Sequence, residues 1–221
     1  MVEQLYILPI LLFSVVIHEL AHGWMALKLG DPTAKAMGRL TLNPIPHIDL
    51  VGSILVPMFS LFVAGQIFIA WAKPVPVNPM NFSNYRRDDI LVSIVGPISN
   101  ILLAFCCTLL FIFLALIAQH MPISSLIVQD SITFLLNMFA GGITLNIVLA
   151  VFNMIPIPPL DGSHVVASLL PDELSERYRS IGFVGIFIIL ILMRWQPFNN
   201  LFTTIISALS FPLRILIQMF V

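Results

Sequence analysis

Apolar residues run from 5 to 29, a stretch long enough for the roughly 20 residues that a membrane-crossing helix needs. Gly30-Asp31-Pro32 then stops a helix. Over residues 33–42 the period drops to two. Lys35, Met37, Arg39 and Thr41 alternate with Ala34, Ala36, Gly38, Leu40 and Leu42, which predicts a strand or small hairpin at the membrane surface. Residues 50–72 are long enough to cross but are broken by Pro57, Gly65 and Gln66. Basic residues flank that stretch on both sides: Lys28, Lys35 and Arg39 before it, Lys73, Arg86 and Arg87 after it. A re-entrant hairpin turning near Gly65 would keep both groups on the cytoplasmic face, where positive charge concentrates. Such non-helical backbone is tolerated at depth only where protein or water covers it.

Residues 90–118 and 126–152 are clear spans, the second carrying Asn137 and Asn146. The first contains Gly96-Pro97-Ile98-Ser99-Asn100, which reads either as a small-residue packing point with a polar cap or as part of a site. Pro156, Pro158 and Pro159 follow Asn153 and exclude a helix, leaving a stiff strip that ends at Asp161-Gly162. The charged stretch 172–179 predicts a solvated helix or loop, and two further apolar runs occupy 182–193 and 201–221. The pattern predicts an all-α polytopic membrane protein of about five to six transmembrane helices, with a small membrane-associated β-hairpin or sheet after the first span.

Composition agrees. The 221 residues are 59% hydrophobic and 10% charged, against about 25% charged in soluble domains. The length suits one membrane domain, and a net charge of −1 gives no reason to expect nucleic acid. Cys106 and Cys107 are adjacent within an apolar run, so neither a structural disulfide nor a cysteine metal site is expected. The first apolar run is too long for a cleavable signal, lacks a basic start and contains ionisable residues.

Those ionisable residues are His18, Glu19 and His22, in the pattern H-E-x-x-H. On a helix the two imidazoles lie one turn apart on one face and can reach one metal ion. Glu19 points to a neighbouring face, where its carboxylate can take a proton from activated water. An ionisable trio is expensive inside a membrane, which points to function; a hydrogen-bonded network between spans is the plainer alternative. A catalytic zinc usually takes a third protein ligand. Asp161, His164, His47, His120 and the carboxylates of 172–176 are the candidates. With the first span running inwards, three crossings (the hairpin not counted) return the chain to the same side at Asp161, whereas His120 falls opposite. Pro-Leu-Asp-Gly is also good turn chemistry by itself.

Taken together, His18-Glu19-Leu20-Ala21-His22 and Asn153-Met154-Ile155-Pro156-Ile157-Pro158-Pro159-Leu160-Asp161-Gly162 resemble the site-2 protease family of intramembrane zinc metalloproteases. The segment Gly96–Asn100 and the sheet-like stretch after the first span also look like that family. The resemblance covers about residues 5–165. It implies one zinc ion held by His18, His22 and Asp161, with Glu19 as general base. It also implies Asn153 as a polar helper near the reacting carbonyl, where a helix C-terminal cap is the simpler role. Residues 1–221 are then one minimal protease domain, with C-terminal helices over 180–221 and no room for the PDZ or CBS domain of larger members.

The implied reaction is hydrolysis of peptide bonds in or near the transmembrane segment of a single-pass substrate in the bilayer. The implied location is a prokaryotic cytoplasmic membrane, with the active site towards the cytoplasm. The alternating stretch 33–42 would pair with an unwound substrate by β-augmentation. His47 and His164 are candidate neighbours of the site. A divalent-metal transporter is the main rival, although such proteins tend to place ionisable groups at several depths. A prenyl-protein-processing metalloprotease would need a glutamate ligand, and the only later glutamates, Glu173 and Glu176, lack an apolar helical setting. A protease-dead scaffold would be expected to have lost some of the catalytic residues present here.

Overall fold

The structure is a computed structural model and describes residues 6–49, 52, 55, 72–120 and 125–221. In chain order the helices are α1 (Ile7–Lys28), α2 (Thr33–Ala36), α3 (Tyr85–His120), α4 (Leu126–Asn153), α5 (Asp161–Leu169), α6 (Asp172–Arg179), α7 (Val184–Arg194) and α8 (Gln196–Phe220). Four of them, α1, α3, α4 and α8, are long and apolar enough to cross a membrane. Helix α7 has 11 residues, about half the length a crossing requires. The expectation of five to six spans is therefore high by one or two among the described residues, and the hairpin expected over 50–72 lies almost wholly outside them.

Helix α1 ends where Gly30 adopts φ 104°, a left-handed conformation that favours glycine and turns the chain out of the helix. A buried cluster of Ile10, Ala104, Cys107, Ile143 and Ile147 joins α1, α3 and α4, and Ile206, Leu213 and Ile217 of α8 pack against it. Close approach depends on small residues, as helix packing in lipid generally does. A Cβ on Gly142 would lie 2.9 Å from Ile10 Cγ1. Some hydroxyls in the spans bond a carbonyl of their own helix, for example Thr108 Oγ1 donating to Ala104 O at 2.9 Å. Large apolar side chains such as Phe13, Leu102, Phe113 and Phe211 are exposed, the lipid-facing surface such a bundle requires.

The strand expected over 33–42 is absent: no strand occurs among the described residues. Thr33–Ala36 forms one helical turn instead. The physical reason is Asp31, whose buried carboxylate accepts from Thr33 N (3.1 Å) and Thr33 Oγ1 (2.5 Å) and so pulls the backbone into a turn. Gly38 then takes φ 64°. Arg39, which alternation would place on a polar face, is buried, and its Nη2 donates to Lys73 O (2.8 Å) and Pro74 O (3.3 Å).

Residues 72–78 carry no helix and lie against α1 and the turn that follows it: Val75 N donates to Glu19 Oε2 and Asn78 N to Asp31 Oδ2, both at 2.7 Å. Pro74 and Pro76 have no N–H, so around them the strip docks through the N–H groups of Lys73, Val75 and Asn78. Lys73 N donates to His47 O at 2.9 Å.

Candidate metal centre

His18 and His22 lie on the buried face of α1, opposite α3. The ring nitrogens are committed in a definite way. His18 Nδ1 bonds Asn100 Oδ1 at 2.6 Å, and His22 Nδ1 bonds Val92 O at 2.7 Å. The Val92 carbonyl can only accept, so His22 donates from Nδ1. The two Nε2 atoms face each other at 3.0 Å. Gly96 makes this possible, since a Cβ there would sit 2.4 Å from His22 Nε2 and 2.7 Å from His18 Cε1.

Asp161 is the first residue of α5 and reaches the same point. Its Oδ2 lies 3.1 Å from His18 Nε2 and 3.4 Å from His22 Nε2. The position of α5 follows from Gly162, where a Cβ would lie 2.3 Å from Met154 O, so only glycine lets the start of α5 press against the end of α4. Asp161 Oδ2 is buried and makes no hydrogen bond.

Three candidate ligand atoms thus converge, and the His22 Nδ1 proton points away from them. Positive charge at the centre, a proton or a metal ion, would relieve their mutual repulsion. Ligands about 2 Å from a tetrahedral ion are about 3.3 Å apart, close to the three observed separations. The donor set, two imidazoles and a carboxylate with one position open, suits a catalytic zinc. His18, His22 and Asp161 form one ligand-competent group among the described residues.

Glu19 lies on the adjoining face of α1, its Oε2 held by Val75 N. Asn153 closes α4, and its Nδ2 donates to Leu149 O at 3.0 Å in its own helix. This is the back-bond of a helix terminus, and no hydrogen bond from Asn153 to the three converging residues occurs among the described ones.

None of the other third-ligand candidates joins the group of His18, His22 and Asp161 among the described residues. His47 is buried, with Nε2 at 3.0 Å from Thr41 O. His120 Nδ1 sits 2.9 Å from Leu116 O at the far end of α3. Asp172 pairs with Arg86, and Glu173 with Arg177. His164 Nδ1 lies 3.0 Å from Arg179 Nη1 and 3.5 Å from Asp89 Oδ1. Because a guanidinium only donates, the imidazole nitrogen accepts from Arg179. The buried Asp89 carboxylate is itself held by Arg179 Nη2 and Ser168 Oγ, each at 2.8 Å. This knot ties α3, α5 and α6 together behind Asp161. On α6, Tyr178 donates its hydroxyl to Pro156 O at 2.7 Å, and burial pushes its phenol pKa up.

The sequence singled out Asn146 and His164 without their partners, and gave no sign of the contact between Val75 and Glu19. The second of two adjacent aspartates in Arg86-Arg87-Asp88-Asp89 gives no local sign of a partner in α6. The proline spacing of 74–79 was the one available signal for the docked strip.

The chain matches the family model described as Peptidase family M50 over residues 6–193. It is 40% identical over 187 residues to YwhC of Bacillus subtilis (strain 168), described as a candidate zinc metalloprotease, covering 85% of this chain and 79% of the relative. Rip2 of Mycolicibacterium smegmatis, described in the same terms, is 26% identical over 191 residues, 86% of this chain and 67% of the relative. Rip2 of Mycobacterium tuberculosis (strain ATCC 25618 / H37Rv) is 32% identical over 174 residues, 77% of this chain and 58% of the relative. No solved structure matches.

Proposed function

The chain is a member of peptidase family M50, a zinc metalloendopeptidase embedded in a membrane, and on that footing we propose that it cuts peptide bonds within or beside the apolar segment of a membrane-protein substrate, using Glu19 as general base. His18, His22 and Asp161 hold the zinc in this reading. The observation that carries it is the convergence of His18 Nε2, His22 Nε2 and Asp161 Oδ2 beside Glu19.

Bound zinc supplies a Lewis acid and a water of lowered pKa. Glu19 takes the proton of the attacking water and delivers it to the leaving amine. Val75 N–H occupies one carboxylate oxygen, so the group is held in one orientation and its other oxygen is left for the proton. Asn153 offers its second amide N–H to the oxyanion that develops on the scissile carbonyl. The side chain of Asp161 is 20% exposed while those of the histidines are 10% exposed, so water arrives past Asp161.

An apolar cavity of about 490 Å³ supports the choice of substrate. Pro97 and Ile98 of α3, Ala150 and Met154 around the end of α4, and Phe198 and Phe202 of α8 line it. Its walls are sequence neighbours of Gly96 and Asn153, so an apolar segment lying there has its backbone beside the converging ligands. Basic residues Lys28, Arg86, Arg87, Arg177 and Arg179 all lie at this end of the bundle, which favours a cytoplasmic active site. Transport would suit groups at several depths, whereas the described residues hold one cluster at one level.

The test is cleavage of a single-pass test protein co-reconstituted in liposomes. Glu19→Gln should keep zinc and lose about 10²- to 10⁴-fold in rate, the usual worth of a general base. Undiminished cleavage by that variant would overturn the role of Glu19.

A further inference from the structure

We propose that Asn100 and Asn146 form a buried relay that sets the tautomer of His18 and thereby its readiness to bind metal; this rests on the metal-centre reading above. The chain of bonds crosses three spans. Asn146 Nδ2 donates to Gly142 O at 2.9 Å, Asn100 Nδ2 donates to Asn146 Oδ1 at 2.9 Å, and Asn100 Oδ1 lies 2.6 Å from His18 Nδ1. Both asparagines are 0% exposed, so water cannot substitute for any member.

The direction of the relay is dictated from its far end. A backbone carbonyl can only accept, so Asn146 must turn its NH₂ towards Gly142 O. Its Oδ1 is then left for Asn100, which must donate there and present its own Oδ1 to His18. His18 must therefore donate from Nδ1, leaving the Nε2 lone pair facing His22 Nε2 and Asp161 Oδ2. His22 receives the same instruction in one step from Val92 O. Two ligands are thus set in the metal-binding tautomer by acceptors, one of them a fixed carbonyl and the other a side chain that substitution can alter. Partners of this kind orient a ligand and raise its basicity. Helix-to-helix adhesion alone would require the bonds but not their polarity.

Zinc affinity of the purified full-length chain, measured by competition with a chelator, tests this. Asn100→Leu should weaken zinc by about 10- to 100-fold. Asn146→Leu should act in the same direction but less, because Asn100 could still turn its oxygen to His18. The double variant should be no worse than Asn100→Leu, since Asn146 acts through Asn100. Asn100→Asp keeps an acceptor for His18 but sets its second oxygen against Asn146 Oδ1, so it is paired with Asn146→Leu; the pair should hold zinc at least as tightly as Asn146→Leu alone and should shift the visible bands of the cobalt(II)-substituted protein. Wild-type affinity in a folded Asn100→Leu variant would overturn the relay. So would a tenfold or greater loss in the Asn100→Asp, Asn146→Leu pair relative to Asn146→Leu, which decides the matter even where Asn100→Leu fails to fold. A wild-type chain that binds no stoichiometric zinc would instead bring down the metal-centre reading itself.

Discussion

At the scale of single residues, what controls the centre is room as much as chemistry. His18 and His22 are one helical turn apart, so the sequence alone places both imidazoles on one face. It says nothing of what that face meets. Gly96 answers this: α3 comes so close that a Cβ would overlap both rings. Gly96→Ala should therefore displace His22 and lower zinc occupancy sharply. It should also cost about 1–3 kcal/mol, the usual penalty for overpacking. Elemental analysis of the purified variant checks it; full zinc content would show that α3 can retreat. The Gly96–Asn100 segment was legible as either packing point or site; in the structure Gly96 yields space and Asn100 bonds His18. Val75 was not legible, because its partner Glu19 is 56 residues away and the contact is a backbone N–H without side-chain identity.

At the scale of elements, the alternation over 33–42 misled because it recorded burial and not backbone shape. Ala34 is fully buried and Arg39 is buried too, but the chain between them is a helical turn followed by a glycine reversal. Asp31 organises this region, receiving Thr33, Asn78 and Asn81 at once. Burial pushes its carboxyl up, but the hydrogen bonds from Thr33, Asn78 and Asn81 outweigh it and hold the pKa below the usual range. A depressed carboxyl contributes its full stability above its unfolded pKa, about 3.9. That contribution is lost as pH falls from there through the folded value. Asp31→Asn should accordingly cost about 2 kcal/mol at neutral pH, as expected for charge-assisted bonds, and should flatten the loss of stability on acidification below about pH 4. Thermal unfolding in detergent from pH 7 to pH 3 measures both, and parallel profiles for variant and wild type would contradict it.

At the scale of the whole molecule, three crossings decide which distant residues meet. Helices α1 and α4 end, and α3 begins, on one side, which brings Asp161 to the histidines and leaves His120 at the opposite end of α3. The knot of Asp89, Ser168, His164 and Arg179 then holds α5 and α6 against α3 at the same end. If that end faces the cytoplasm, Arg177→Cys marks it, since the Arg177 side chain is 74% exposed. In a background with Cys106 and Cys107 replaced by alanine, an impermeant maleimide should label this cysteine in inverted vesicles and not in intact cells. The reverse pattern would overturn the orientation.

The amino-acid sequence by itself determined that the chain lives in a membrane, that His18 and His22 can share an ion with Glu19 beside them, and that Asp161 returns to their side. Apolar length, helical spacing and the parity of crossings are local or countable properties. Only the tertiary structure decided that Asn153 is back-bonded in its own helix, that 33–42 is a turn, and that Asn100, Asn146 and Val75 reach the centre. Those outcomes depend on distances between helices, and distances of that kind arise from glycines that admit a neighbour and from polar groups that, denied water, must find each other.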